Sequence, residues 1–202
     1  MKKKIVYIGL TADIIHHGHI NLIENAREYG EIIVGLLTDK AVKDYKRMPL
    51  LTFDQRKKIL INIKGVLKVV KQNEWDYAVN IKKYKPDYMV HGNDWISGPQ
   101  LKLRQSAIRE LKKYKGRLIE IPYTKGVSSS ALSMEQSKKF STPETRLKSL
   151  IRLIEAKSFV RIIETHNPIS ALIAENTNLV VKNKFKEFDG FWSSSLTDST
   201  SM

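Results

Sequence analysis

Apolar and polar positions along the first two thirds of the chain follow two periods in turn, and the alternation predicts strands and helices taking turns. Ile5 to Leu10 is a short apolar run rich in β-branched residues and reads as a buried strand. Behind it the period changes. Ile20, Ile23, Ala26 and Arg27 fall near one side of a helix that Gly30 closes. Glu31 to Thr38 repeats the strand pattern. A polar loop with Lys43, Lys46 and Arg47 runs to Pro49, and a helix follows over Gln55 to Lys64 with Thr52 or Asp54 as its cap. Val66 to Val70 is a third strand, and Asp76 to Tyr84 is a helix that stops before Pro86. Asp87 to His91 is a fourth strand, Gln100 to Tyr114 a basic helix closed by Gly116, and Arg117 to Ile121 a fifth strand. A last helix is expected from about Ser130 to Lys139.

Five short strands separated by helices place the chain in the α/β class, as a parallel sheet covered on both faces. Right-handed crossovers make this a Rossmann-like, doubly wound, five-stranded sheet. Ligands of such sheets sit beyond the carboxyl ends of the strands, at the switch point. Three unusual loops each follow a strand: Thr11 to His19, His91 to Trp95, and Tyr123 to Ser130. They are expected to meet on that one edge.

Ser141-Thr142-Pro143 breaks the alternation. The organisation read from this is a first domain over 1–140, a linker over 141–146 and a second segment over 147–202. The second segment holds a basic amphipathic helix (Arg146 to Ala156), a strand (Phe159 to Glu164), a helix (Ser170 to Asn176) and a further strand running to F-D-G-F-W-S-S-S. It reads as the incomplete start of a TIM-barrel-type domain, since a closed barrel takes roughly 200 residues or more.

Composition narrows the function. With 202 residues and 42% hydrophobic content the chain supports a packed core, and with no cysteine it has no disulfide, thiolate or cysteine-metal chemistry. The basic start Met1-Lys2-Lys3-Lys4 precedes an apolar run too short for a signal peptide, and no run reaches membrane length. A cytoplasmic protein with no membrane partner is the expectation. The net charge of +14 raises nucleic-acid binding as one reading. The lysines, however, are spread as pairs such as Lys57-Lys58, Lys82-Lys83 and Lys112-Lys113, with no basic arm. They read as solvated helix faces whose field draws in anionic small molecules, and no nucleic-acid partner is expected.

The chemistry lies in His16-x-Gly18-His19, between the first strand and the first helix. A helix start carries free backbone N–H groups that meet an anion. Nucleotidyl transfer builds negative charge on a five-coordinate α-phosphate, and catalysis there consists of alignment and placed donors. His16 and His19 offer two N–H donors, and Gly18, without a Cβ, lets a phosphate come against the backbone. The plain alternative is loop histidines near a strand end.

T-A-D-I-I-H-H-G-H (from Thr11), G-N-D-W (from Gly92) and T-K-G-V-S-S-S (from Thr124) together resemble the cytidylyltransferase family that includes the glycerol-3-phosphate and phosphoethanolamine enzymes, over roughly Lys4 to Lys139. The tail motifs E-T-H-N-P-I-S-A-L-I-A-E and F-D-G-F-W-S-S-S-L-T-D-S-T resemble the start of phosphoenolpyruvate mutase. That order is similar to the fused cytidylyltransferase–phosphoenolpyruvate mutases of phosphonate biosynthesis, of the fosfomycin type, here with the mutase part truncated. The resemblance implies transfer of CMP from CTP to a small phosphonate, 2-hydroxyethylphosphonate, with release of pyrophosphate and with Mg2+ on the phosphates. Alternatives are glycerol 3-phosphate or phosphoethanolamine as acceptor, or an ATP-dependent adenylyltransferase. No mutase activity is expected, and a homodimer is.

By the same resemblance His16, His19 and Lys46 are catalytic. Thr11, Ala12, Gly18, Gly92, Asp94, Gly126, Ser128, Ser129 and Ser130 join the two histidines around the nucleotide. Asp13, Lys46, Arg56 and Trp95 go to the acceptor, and no residue is assigned to a resident metal. Leu10-Thr11-Ala12-Asp13 replaces the common G-T-F-D, Gly92-Asn93 replaces G-D, and Tyr123 stands where an arginine is common. Each position also has a bland reading: His17 as a neighbour, His91 as a packed strand end, Lys46 as a solvated loop cation, Asp94 as a turn cap, Trp75 and Trp95 as packing, and Ser128 to Ser130 as a helix cap.

Overall fold

The computed structural model describes residues 3–43, 48–122, 124, 143–181 and 184–193. The elements of the first part are β1 (Ile5–Leu10), α1 (His17–Arg27), β2 (Glu31–Leu37), α2 (Asp39–Lys43), α3 (Phe53–Ile61), β3 (Val66–Gln72), α4 (Ala78–Tyr84), β4 (Tyr88–Gly92), α5 (Leu101–Lys112) and β5 (Arg117–Ile121). The five strands form one parallel sheet in the order β3-β2-β1-β4-β5. This is the Rossmann-like α/β sheet that the alternation predicts.

The period of two in each strand sends its side chains to two cores. Val6, Ile8, Leu10, Ile32, Val34 and Leu36 lie on one face with Ile23 and Ala26 of α1 and Leu60 of α3. Tyr7, Ile33 and Met89 lie on the other with Ile81 of α4 and Ala107 and Leu111 of α5. A sheet buried on both sides explains why β1 and β2 read as continuous apolar runs. β3 lies at the sheet's edge and keeps Lys68 and Lys71 exposed, charges that discourage further strand pairing.

The switch point falls between β1 and β4. β1 pairs with β2 at six positions, Ile5↔Glu31 through Leu10↔Leu36, but with β4 at only two, Val6↔Tyr88 and Tyr7↔Met89. Beyond those two pairs the carboxyl ends of β1 and β4 share no ladder, which opens the crevice that this topology offers to ligands.

Several boundaries differ from the sequence reading. α2 stands inside the stretch read as loop, with the Thr38 hydroxyl accepting from the Ala41 N–H at 3.3 Å. Asp76 is outside α4, because its carboxylate caps the turn by accepting the Ala78 N–H at 2.9 Å. A 3-10 turn over Gly98–Gln100 precedes α5. The helix expected over 130–139 lies outside the described residues.

Contacts within the chain divide it into two compact units, Met1–Val42 with Pro49–Phe140, and Lys43–Met48 with Ser141–Met202. In the second unit, α6 (Pro143–Ala156), β6 (Ile162–Thr165), α7 (Pro168–Asn176), β7 (Asn178–Val181), β8 (Lys184–Glu187) and β9 (Gly190–Ser193) follow one another. β6 and β9 pair in parallel, and β7 and β8 form an antiparallel pair that the sequence reading, with one strand there, does not contain. Asn167 and Ser170 cap α7 reciprocally, with Pro168 in its first turn. Asp189 accepts from the Arg161 N–H at 2.9 Å and from the Lys157 ammonium. Burial alone would raise its carboxyl pKa, and these donors outweigh burial and hold it below the usual range.

Gly30, which ends the turn after α1, has φ 151°, and a Cβ there would lie 2.2 Å from the Lys4 carbonyl oxygen. Gly30→Ala is expected to lower unfolding stability by more than about 1 kcal/mol, read as a lower urea midpoint at constant slope. An unchanged midpoint would show that the turn relaxes freely.

Candidate active site

β1 ends at Leu10, and the chain turns through 11–16 into α1. His16 is the N-cap of α1: its Nδ1 accepts the Gly18 N–H at 3.2 Å, while the His16 N–H reaches Nδ1 of His19 at 3.4 Å. The two rings lie 4.1 Å apart, tilted by 51°. This reciprocal cap settles their protonation. An Nδ1 that accepts a backbone N–H carries no proton, so each neutral ring carries it on Nε2 and presents that N–H as a donor. The first turn of α1 holds no acidic residue, so nothing of the helix's own neutralises its positive end. Burial, then the neighbouring His17, hold the His16 pKa below the ordinary value, which keeps the ring neutral at pH 7. His17 itself is exposed.

Gly18 also meets a steric demand within the cap itself. A Cβ there would lie 3.0 Å from Cε1 and Nδ1 of His16 and 3.4 Å from Cβ of Thr124. The missing methyl therefore makes room for the His16 ring, where the sequence reading left it for a phosphate. Thr124 also takes the Asn21 amide at 3.4 Å on its hydroxyl. The start of the third loop thus lies beside α1, and Gly92 pairs with Ile121 in the β4–β5 ladder. The tips of β1, β4 and β5 share one edge.

The turn after β1 is held by buried polar groups. Ala12 takes a left-handed backbone with φ 51°. Asp13 is buried and accepts the Leu51 N–H at 3.1 Å. Arg56 of α3 is fully buried, and its guanidinium donates to the Thr11 carbonyl at 2.5 Å, the Leu51 carbonyl at 3.2 Å and the Asp39 carboxylate at 2.6 Å. The sequence reading gave Arg56 to the acceptor. The structure corrects this: the side chain is turned into the protein and joins the β1 tip, the start of α2 and the entry to α3. Asp13 likewise faces a backbone N–H rather than open space.

Trp95 is corrected in the same way. It lies in a 3-10 turn, Asn93–Trp95, after β4 and is fully buried. Its indole N–H donates to Glu120 at 2.7 Å, and Arg104 holds the same carboxylate with Nε at 2.9 Å and Nη2 at 2.8 Å. The Arg104 hydrogen bond, with help from Trp95, outweighs burial and lowers the Glu120 pKa. The Trp95 ring packs on His91 with centroids 3.8 Å apart and planes 11° apart. Gly92 is half-buried and Asp94 is exposed at the corner. Lys46, Gly126, Ser128, Ser129 and Ser130 lie outside the described residues.

Arg104, Glu120 and Tyr77 escape the sequence reading. Glu120 alone left a signal, a carboxylate inside the otherwise apolar L-I-E-I of β5. Among the described residues no three or more His, Cys, Asp or Glu side chains gather to hold a metal, and no helix is long and apolar enough to cross a membrane. The arrangement as a whole offers two imidazole N–H donors at the positive end of a helix, beside a crevice, on a turn fixed from beneath.

Arg56→Met leaves the Asp39 carboxylate and two carbonyls without their donor, and is expected to cost on the order of 3 kcal/mol in denaturant unfolding. Arg56→Lys should not rescue it, because one ammonium cannot span three acceptors. Stability should also fall in mild acid. His16 and His91 both have lowered folded pKa values, the latter chiefly through burial, against an ordinary value of 6.5. Their contribution is complete above about pH 6.5 and is lost as pH falls through the lowered folded values. Thermal melting at pH 5.5 should lie below that at pH 7.5, and His91→Asn should narrow the gap.

The family model described as cytidylyltransferase-like matches residues 7–148. A glycerol-3-phosphate cytidylyltransferase of Bacillus spizizenii is 30% identical over 137 residues, covering 67% of this chain and 98% of the relative. An ethanolamine-phosphate cytidylyltransferase of Mus musculus is 34% identical over 122 residues, covering 59% of this chain and 29% of the relative. Among solved structures, a lipopolysaccharide core biosynthesis protein of Thermoplasma volcanium superposes with TM-score 0.53 at 19% identity, covering 61% of this chain and 99% of that one, a likeness of fold alone. With the family match covering residues 7–148, this chain belongs to the cytidylyltransferase-like family of nucleotidyltransferases.

Proposed function

We propose that the chain transfers CMP from CTP to the phosphate of a small phosphorylated alcohol, glycerol 3-phosphate or phosphoethanolamine, and releases pyrophosphate. The observation that carries the reading is the reciprocal cap of His16 and His19, which occupies both Nδ1 atoms and assigns the ring N–H to Nε2 at the start of α1. An acceptor phosphate oxygen forms a bond to the α-phosphorus while the bond to the pyrophosphate oxygen breaks. Negative charge that builds on the non-bridging oxygens meets the two imidazole donors and the positive end of the α1 dipole. Neutral rings serve this as hydrogen-bond donors without a proton being moved. The Thr11–Ala12 backbone lines the turn, and Gly92 and Asp94 approach the nucleotide from the β4 side. Lys46, Gly126 and Ser128 to Ser130 are assigned to the phosphates on family likeness. Arg56, Asp13 and Trp95 hold the walls. Mg2+ supplies charge neutralisation as the partner of the triphosphate, a mode in which it needs few protein ligands.

The choice of acceptor follows relatives whose names carry glycerol 3-phosphate or ethanolamine phosphate. The tail motifs favour a second reading, with 2-hydroxyethylphosphonate as acceptor. One assay separates them: pyrophosphate release from CTP or ATP with Mg2+ and each acceptor in turn. Release with CTP and a phosphorylated alcohol is expected. Faster release with the phosphonate would move the assignment to it, ATP preference would make the chain an adenylyltransferase, and no release with any pair would end the proposal. His16→Ala and His19→Ala should each lower turnover by about a hundredfold or more. An unchanged rate would remove that ring from the chemistry.

A further inference from the structure

The β1–β4 ladder ends at Tyr7↔Met89, so the next positions on the same face of the sheet are Gly9 and His91. Tyr77 fills the space between them. A Cβ on Gly9 would lie 2.1 Å from Cε1 of Tyr77, and the Tyr77 hydroxyl is 3.5 Å from Nε2 of His91. Trp95 covers the other side of the imidazole as a parallel stack and meets Tyr77 edge-on at 5.8 Å. His91 is therefore a polar ring enclosed between two aromatic ones, where an aliphatic side chain would avoid the cost of desolvating polar nitrogen.

What the ring does there is polar. Its Nδ1 lies 2.8 Å from the Gly92 carbonyl oxygen, which only accepts, so Nδ1 carries the proton and Nε2 faces the Tyr77 hydroxyl. This is the tautomer opposite to that of His16 and His19. The next carboxylate, Asp94, has Oδ1 3.7 Å from Nδ1 and is 39% exposed. The corner Gly92–Asp94 is thus held at its start by His91 and at its end by Trp95, which Glu120 and Arg104 fix in turn.

We propose that His91 is a positioning residue for the nucleotide: as a neutral ring it fixes the Gly92 carbonyl, so that the β4 corner keeps the shape CTP meets. This rests on the reading that CTP binds at this edge. A protonated His91 would face Asp94 of the 3-10 turn, Glu120 of β5 with its partner Arg104 of α5, and the hydroxyl of Tyr77 ahead of α4. Asp94, 3.7 Å from Nδ1, would be drawn closer to that cation, and the corner would change shape. Burial opposes the proton and holds the His91 pKa below 6.5, so the change falls on the acid side of that value.

The test is calorimetric binding of CTP, without acceptor, at pH 7.5 and pH 5.5. His91→Leu, which removes the donor, should weaken binding about tenfold at pH 7.5, within the range of one lost hydrogen bond at an ordered corner. His91→Asn, whose amide can still reach the Gly92 carbonyl but does not titrate, should bind within about twofold of the wild type at pH 7.5. It should also lose less affinity at pH 5.5 than the wild type does. Circular dichroism melts confirm that each variant is folded, and a misfolded His91→Leu leaves the His91→Asn comparison decisive. Equal affinities for wild type and His91→Leu, or the same pH loss in wild type and His91→Asn, would overturn the proposal. A wild type that binds no CTP at all would instead end the functional reading beneath it.

Discussion

A parallel ladder that stops after two residue pairs is the constraint from which the site follows. If β1 and β4 paired as far as β1 and β2 do, the sheet would close across the switch point. Because it stops, β1 leaves into the turn that becomes α1, β4 leaves into a 3-10 corner, and the two departures face one crevice. The space below the gap is filled by Tyr77, His91 and Trp95, which is why Gly9 carries no side chain. The opening is therefore floored with aromatic rings and edged with backbone.

Arg56 and the reciprocal histidine cap then make that edge definite. The turn after β1 includes a left-handed alanine, a conformation that costs roughly 1–2 kcal/mol for a residue with a Cβ. Three hydrogen bonds from the one buried guanidinium, the first of them to the Thr11 carbonyl, hold it against that cost. The His16–His19 cap fixes which nitrogen of each ring carries the proton. Placement and protonation are set by the protein before any ligand arrives, which is what donors need if they are to act without rearranging.

Much of the fold was legible because a sheet buried on both faces writes its strands as apolar runs and its helices at a clean 3.6-residue period. β1 to β5 and their order of appearance follow from that alone. The boundaries that were missed are those decided by side chains acting on backbone. Asp76 ends a turn that its periodicity would have made helix, and Thr38 starts a short helix inside a polar stretch. The β7–β8 pairing was hidden because the sequence offered one long strand where two run back to back.

The site was legible in outline, through spacing, and illegible in role. H-x-G-H marks the place, but histidine is not among the usual helix caps, so the reciprocal bond between His16 and His19 leaves no sign in a propensity rule. Arg56 and Trp95 looked like ligand contacts because charge and aromaticity near a motif invite that reading. Only burial shows that they face inward.

The guanidinium at the heart of the loops has one further consequence. Arginine keeps its proton throughout the range in which histidine gives its own up. Mild acid thus reaches this protein through its imidazoles while the tie among the three loops stays charged and intact. On the role proposed for His91, binding lost to acid is a change of hydrogen-bonding partners on a standing framework, to be regained in neutral solution without refolding.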